Sequence, residues 1–138
     1  MRWQLPATIA LLIWGLWAFL PKLALQAFEP RSVLVWESLG SALVGLGVLV
    51  SVGFRVQATP VGVLAAVITG ACGLGGALFF LMALDRGKAS VVVPFTSLYP
   101  LITLVLSVLF LGERPSPTNL LGVLFAMVAV VLLSIGSK

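Results

Sequence analysis

Long uncharged runs, separated by short charged turns, are the feature that most limits what this chain can fold into. The clearest run follows the turn Asp85–Lys88 and ends at the turn Gly112–Pro115, and its about two dozen residues carry no charged side chain. An α-helix rises about 1.5 Å per residue, and the hydrocarbon core of a bilayer is about 30 Å thick. A run of this length predicts one membrane crossing, with the two charged turns on opposite faces of the membrane.

The composition supports this interpretation and excludes several classes of function. Hydrophobic residues make up 61% of the 138 residues and charged residues 9%, whereas a soluble domain carries about 25% charged residues. The chain has no histidine and one cysteine, Cys72, so the usual ligand sets for zinc, haem and iron–sulfur clusters are missing, as are histidine-assisted nucleophiles. We therefore predict no cofactor and no enzymatic activity. The net charge of +4 is scattered over the turns, which predicts membrane ends rather than a nucleic-acid partner.

The sequence predicts an all-α membrane protein with one transmembrane domain over residues 1–138. Charged residues, glycines and prolines divide the chain into five predicted spans, at about residues 5–28, 32–53, 60–84, 89–111 and 116–135. Because five is an odd number, the two termini are expected on opposite sides of the membrane.

Basic residues give this arrangement little preference for one orientation. The amino-terminal side would hold three basic residues, Arg2, Arg55 and Arg114, and the opposite side five, which are Lys22, Arg31, Arg86, Lys88 and Lys138. A clear excess of positive charge in short cytoplasmic loops normally fixes orientation. This near balance is typical of a chain that inserts in both orientations, although a slight excess around Arg86 and Lys88 would also favour a single one.

Glu37 is the residue within a span that most strongly suggests function. A carboxylate at mid-bilayer costs about 2.5–3.5 kcal/mol even on the mildest scales, so such groups usually face a cavity or a partner. Glu37 is predicted about five residues inside the second span, and Lys22 lies at a similar depth from the same turn, which makes a Lys22–Glu37 pair geometrically reasonable. The alternative is that Lys22 reaches up to the interface and Glu37 lies near the headgroups.

Pro100 is predicted to interrupt the fourth span near its middle. Proline lacks a backbone N–H, so the carbonyl one turn earlier, at Thr96, loses its helical partner. Exposed carbonyl groups at such a break are one way in which transporters build polar sites at mid-membrane, and Tyr99 and Thr96 supply nearby hydroxyls. The alternative is a tolerated kink that neighbouring serine and threonine side chains compensate.

Three tryptophans are candidates for lining a cavity. Trp14, Trp17 and Trp36 could bind a flat or cationic substrate through cation–π contacts. As single residues, however, tryptophans in membrane helices are more often packing or interfacial groups.

Several short motifs together resemble the EamA-type repeat of the drug/metabolite transporter superfamily. They are, in order, the glycine-rich segment Gly70–Gly76, A-L-x-x-G-x-A-S at residues 83–90, L-x-P-L at 98–101, L-G-E-R at 111–114, and Gly122. Trp14-Gly15 and Lys22 in the first span fit the same repeat, so that the resemblance covers essentially the whole chain.

The resemblance implies an integral membrane transporter, often an exporter of metabolites, amino acids or toxic compounds, that opens alternately to each side. Typical members carry two five-helix repeats in inverted orientation, and one repeat is recognised here. The resemblance therefore implies an antiparallel homodimer, with dual topology. One departure concerns Trp36-Glu37, where members of the family often carry an arginine. This departure makes an acidic cavity that attracts cations conceivable.

Taken together, the sequence predicts an exporter in a bacterial or archaeal cytoplasmic membrane, working as a homodimer among lipids on a small-molecule substrate. A non-transporting scaffold subunit and a flippase for lipid headgroups are the alternatives. The predicted substrate path is lined by Glu37, Lys22, Trp14, Trp17, Trp36, Tyr99, Pro100 and Thr96.

Overall fold

A computed structural model describes residues 3–135, apart from the side chain of Ser134. Arg2 and Lys138, which enter the predicted charge balance at the two ends, lie outside the described residues. Every regular element within residues 3–135 is a helix. In chain order these are α1 (Gln4–Ala24), α2 (Pro30–Ser51), α3 (Pro60–Arg86), α4 (Ala89–Thr96), α5 (Tyr99–Leu111) and α6 (Pro117–Ile135).

The predicted all-helical fold is confirmed, since long apolar helices account for almost the whole described chain. By length and composition, four segments can cross a membrane: α1, α2, α3, and the combined segment Ala89–Leu111 that α4 and α5 form. The 19 residues of α6 add a shorter apolar helix. Helices are what lipid imposes on such a sequence, because a helix satisfies its own backbone N–H and C=O groups where no water is present.

Local chemistry at the turns explains where several helices begin and end. Pro30 opens α2 and Pro60 opens α3, both at a position where the fixed φ of proline suits a helix and its missing N–H is not needed. The hydroxyl of Thr59 accepts a hydrogen bond from the N–H of Gly62 at 3.3 Å. A Cβ on Gly62 would lie 2.8 Å from that same hydroxyl, so glycine leaves room for this cap.

The end of α5 also requires a glycine. Gly112 closes the helix with a φ of 66°, a left-handed conformation that residues with a Cβ adopt only at a cost. Just beyond it, the N–H of Glu113 donates to the carbonyl of Ser107 at 3.3 Å. The L-G-E-R motif therefore includes the stop signal of this helix.

The chain forms two compact units, residues 1–86 and residues 87–138. In the first unit, α1 and α2 both pack against α3. In the second unit, α4 packs against α6.

The core of the first unit is small and lies at one end. Its buried hydrophobic residues are Val33, Ala77, Phe80, Leu81 and Leu84, of which Leu81 and Leu84 are completely buried. Four of these five residues lie within two turns near the carboxyl end of α3, and Pro21, near the end of α1, is buried as well. Packing is thus concentrated near the turn that joins α1 and α2.

Candidate functional site

The hairpin of α1 and α2 places two of the predicted path residues at one level. Trp17 lies seven residues before Ala24, where α1 ends, and Glu37 lies seven residues after Pro30, where α2 begins. Seven residues correspond to about 10 Å along a helix axis. Because the two helices run in opposite directions from a short turn, equal distances from that turn bring Trp17 and Glu37 next to each other.

Glu37 is held by a tryptophan rather than by a basic residue. The indole Nε1–H of Trp17 donates a hydrogen bond to Oε1 of Glu37. The second carboxylate oxygen, Oε2, is buried and accepts no hydrogen bond from any of the described residues 3–135. A buried acceptor without a partner costs about 1–3 kcal/mol, and more if it is charged. The carboxylate therefore has one satisfied oxygen and one that is available for a donor.

A phenylalanine of α3 packs against the ring of Trp17. Phe80 of α3 stacks on Trp17, with ring centroids 5.4 Å apart and an interplanar angle of 17°. Phe80 is buried, whereas Trp17 remains 42% exposed. One face of the indole is thus covered by the stack, and a substantial part of the ring stays accessible.

Lys22 makes a separate tie between α1 and α3. Its Nζ donates to the backbone carbonyl of Leu84 at 2.6 Å, and the side chain is only partly buried. Leu84 lies in the last turn of α3, where carbonyl groups no longer have helical N–H partners and where a positive charge is favourable. Lys22 thus holds the carboxyl end of α3 against α1.

The expected pairing of Lys22 with Glu37 is not what the structure shows. Lys22 donates to the Leu84 carbonyl, and Glu37 accepts from Trp17. The reason lies in where α1 ends. The predicted first span ran to residue 28, but α1 ends at Ala24. Lys22 is therefore two residues from its helix end while Glu37 is seven residues from the start of α2. The difference of five residues amounts to about 7.5 Å along the axis.

The other two tryptophans lie on the same helices but are more exposed. Trp14 is 60% exposed and Trp36 is 61% exposed. Trp14 lies one turn from Trp17, so it shares a face of α1 with it. Trp36 is the neighbour of Glu37 in sequence and therefore points about 100° away from it around α2, since an α-helix has 3.6 residues per turn.

The remaining predicted path residues belong to the second unit, around a break in the fourth span. The interruption predicted at Pro100 is confirmed: α4 ends at Thr96, and α5 begins at Tyr99 with Pro100 in its first turn. Tyr99 and Pro100 are exposed, and Thr96 is partly buried.

The hydroxyl groups at this break bond to their own backbone. Thr96 Oγ1 donates towards the carbonyls of Val92 and Val93 at 2.9 and 3.0 Å, and Ser97 Oγ donates to Val93 at 2.8 Å. Bonds of this kind to carbonyls three or four residues earlier often bend a helix. Their acceptors are the carbonyls of Val92 and Val93 and not the Thr96 carbonyl that Pro100 leaves without its helical partner, and each hydroxyl oxygen keeps acceptor capacity.

Two open, mainly apolar grooves lie away from Glu37, at the start of α3. Their volumes are about 470 and 560 Å³, and both include Thr59, Val63 and Val67 in their lining. Neither contains a charged side chain. A groove of this kind fits apolar contacts and offers little to orient a polar substrate. The cluster of Trp17, Glu37 and Phe80, hereafter the aromatic–carboxylate cluster, is the better candidate for a site.

Sequence reasoning missed Phe80 and the role of Leu84. Both lie in a continuous apolar run in which the exposed Phe79 is as hydrophobic as the buried Phe80. Hydrophobic periodicity therefore gives no indication of which face of α3 is packed. The spacing Ala77, Phe80 or Leu81, and Leu84 follows one helical face, but that face becomes visible only once α1 and α2 are placed against it.

Comparison with known proteins shows which family this chain resembles. The model that describes the EamA-like transporter family matches residues 1–135. An uncharacterized protein of Methanocaldococcus jannaschii is 42% identical over 62 residues, and this match covers 45% of the present chain and 45% of that relative. The matched region is thus less than half of the relative's length. No solved structure matches the chain.

Proposed function

The chain belongs to the EamA-like transporter family and is a multi-pass membrane protein. From this premise we propose that it transports small molecules, and that it exports small metabolites, amino acids or toxic cationic compounds. Membership points to a transporter rather than to an enzyme. In the proposed mechanism the substrate path opens alternately to the two sides of the membrane, and the working form is an antiparallel homodimer in a cytoplasmic membrane.

One observation carries the proposal within this chain. Glu37 is a carboxylate in the third turn of an apolar helix, and a tryptophan from the neighbouring helix orients it while one of its oxygens has no hydrogen-bond partner among the described residues. Ionisable residues inside membrane segments usually mark substrate or ion pathways. The aromatic–carboxylate cluster is therefore proposed to lie on the substrate path, with Lys22 and Trp14 beside it on α1.

The homodimer is proposed on two grounds. Typical members of the family combine two repeats in inverted orientation, and the basic residues of the sequence, three on one predicted side and five on the other, show no strong bias towards one orientation. In addition, the whole segment Pro60–Gly76 of α3 is exposed within the chain. A second copy provides the other half of the path, and Tyr99, Thr96 and Pro100 are proposed to contribute to it from the second unit.

Transport in reconstituted liposomes tests the proposal. The purified chain is reconstituted into liposomes, and uptake is measured for a panel of amino acids, amphipathic cations and neutral metabolites. The variant Glu37→Gln is compared with Glu29→Gln in the same assay. Glu29 is an exposed carboxylate just before α2, so its replacement removes the same charge outside the cluster. We expect transport that Glu37→Gln reduces at least about tenfold and that Glu29→Gln leaves intact. If no compound crosses the bilayer in the wild-type liposomes, the result contradicts the exporter and favours the alternatives, a scaffold subunit or a flippase for lipid headgroups.

Accessibility of a carboxyl-terminal tag tests the antiparallel dimer. If both orientations occur, a membrane-impermeant reagent labels about half of the tags from each side of the membrane. Labelling from one side only would contradict the antiparallel homodimer and would leave the transport proposal standing.

A further inference from the structure

Oε2 of Glu37 is the polar atom that the proposed function leaves unexplained. It is buried and has no hydrogen-bond partner among the described residues, while Oε1 of the same carboxylate is held by Trp17. A carboxylate in this state needs either a proton or a positively charged donor. The question is which kind of group completes it.

The surroundings of the carboxylate resemble what an ammonium group requires. The Trp17 ring lies beside Glu37, is backed by Phe80, and is 42% exposed. The face of an indole ring attracts cations, and tryptophan is the best of the aromatic side chains for this contact. A carboxylate next to an accessible indole thus offers a charge-assisted hydrogen bond and a cation–π contact within one small region.

We propose that Glu37 and Trp17 form the subsite for a protonated amine, so that the substrate is a small organic ammonium compound with at least one N–H. This inference rests on the proposed function, because it names the substrate class of the same path. Oε2 accepts a hydrogen bond from the ammonium group, and the free face of Trp17 contacts its positive charge. The Nε1–H of Trp17 keeps Oε1 occupied and so presents Oε2 to the substrate.

The position of Lys22 indicates where the rest of the substrate lies. Lys22 is five residues from Trp17, about 7.5 Å further along α1 towards the turn, and its Nζ is directed at the Leu84 carbonyl. Its positive charge repels a cation on that side. Trp14 lies one turn away in the opposite direction and is 60% exposed. An aromatic or aliphatic tail of the substrate therefore extends along α1 towards Trp14.

Access to the subsite requires movement. Oε2 is closed off in this conformation, so the amine reaches it only when the groups that cover this oxygen move. This requirement fits a path that is closed in one state and open in another.

Three ligands that share a benzyl group test the inference on the wild-type protein. Benzylammonium carries a charge and N–H donors, benzyltrimethylammonium carries the charge alone, and benzyl alcohol carries neither. Binding is measured by titration calorimetry on the purified chain in detergent micelles. We expect affinity to fall in that order, with benzylammonium at least about tenfold tighter than benzyl alcohol, the size of one charge-assisted hydrogen bond. Equal affinity for benzylammonium and benzyl alcohol would overturn the inference.

Variants of Glu37 and Trp17 test whether these two residues cause the preference for benzylammonium. Glu37→Gln should remove the advantage of benzylammonium over benzyl alcohol, and Glu29→Gln should retain it. Trp17→Phe keeps a ring on Phe80 but loses the indole N–H, and should reduce the advantage in part. Helix content and elution volume show whether each variant is folded. A preference for benzylammonium that survives in folded Glu37→Gln contradicts the assignment. If Glu37→Gln does not fold, the ligand series on the wild type decides.

The outcome is separable from that of the proposed function. Transport of neutral compounds without any binding preference for benzylammonium would refute the amine subsite alone. Benzylammonium binding without transport of any compound would refute the exporter and leave the subsite intact.

Discussion

The two parts of α3 are both largely apolar but have different surroundings. From Pro60 to Gly76 every residue is exposed within the chain, whereas Ala77, Phe80, Leu81 and Leu84 in the following two turns are buried. Both halves are apolar, so hydrophobicity does not explain the difference. What distinguishes them is the distance from the turn between α1 and α2, because Trp17 and Lys22 near the end of α1 contact Phe80 and Leu84 in the packed half.

The comparison shows how packing works in a chain of this composition. In water a long exposed apolar surface of this kind would promote association, but lipid tails are as apolar as the helix itself. The exposed half of α3 is therefore stable against lipid, or against a second copy of the chain. Only the packed half depends on specific side-chain contacts, and the aromatic–carboxylate cluster is attached to it through Phe80. The first three of the following predictions test whether the packed and exposed parts of α3 differ in stability, and the fourth tests what the exposed part contacts.

The largest effect is expected from truncation in the packed half. Leu81→Ala removes a completely buried side chain and should lower the free energy of unfolding by about 2–5 kcal/mol, because a cavity remains. Leu64→Ala, at a residue 62% exposed in the other half, is the matched control and should change it by less than about 0.5 kcal/mol. Denaturant titrations in mixed micelles measure both. Similar losses for the two variants would mean that the exposed half is packed as well.

Loss of the tie between α1 and α3 should have the next largest effect. Lys22→Met keeps most of the apolar stem but leaves the Leu84 carbonyl without its donor, and should cost about 1–3 kcal/mol of unfolding free energy. Arg31→Gln removes a basic residue at an exposed position of α2 and should have little effect. The same micelle titrations compare them. An unchanged stability of Lys22→Met would show that the Leu84 bond does not hold the packed end together.

A smaller effect is expected from the aromatic stack. Phe80→Leu keeps an apolar side chain at a buried position but removes the ring contact with Trp17, and should cost about 0.5–1.5 kcal/mol beyond any change in buried area. It should also alter the tryptophan fluorescence spectrum, because Trp17 loses its neighbour. Phe79→Leu, at the adjacent exposed ring, should leave stability and spectrum almost unchanged. A spectral change of equal size in both variants would contradict the pairing.

The smallest effect concerns the glycines of the exposed half. A Cβ on Gly73 would meet no atom of the chain within 4 Å, so Gly73→Ala should raise the unfolding free energy of a single chain by up to about 1 kcal/mol through helix propensity. If this face packs against a second copy, the same variant should lower the dimer fraction, which single-molecule photobleaching measures. Gly112→Ala is the contrasting variant, because its φ of 66° makes an added Cβ unfavourable. Destabilisation of the single chain by Gly73→Ala would contradict the open surface.

The sequence by itself determined that this chain is helical, that it belongs in a membrane and where its helices are interrupted. Uncharged runs of bilayer length leave the backbone no alternative to helices, and Pro30, Pro60, Pro100 and Gly112 act locally, so their effects can be predicted without knowledge of distant residues. The same reasoning singled out Glu37, because a carboxylate in an apolar helix is costly wherever the helix packs.

Only the tertiary structure decided which residues meet. Trp17 rather than Lys22 bonds Glu37 because α1 ends at Ala24, and a shift of a few residues in a helix end changes which side chains share a level. Phe80 rather than Phe79 supports Trp17 because α3 turns that face towards α1. In a uniformly apolar helix every face is equally suited to lipid, so the packed face depends on contacts between helices, which the composition of one helix does not encode.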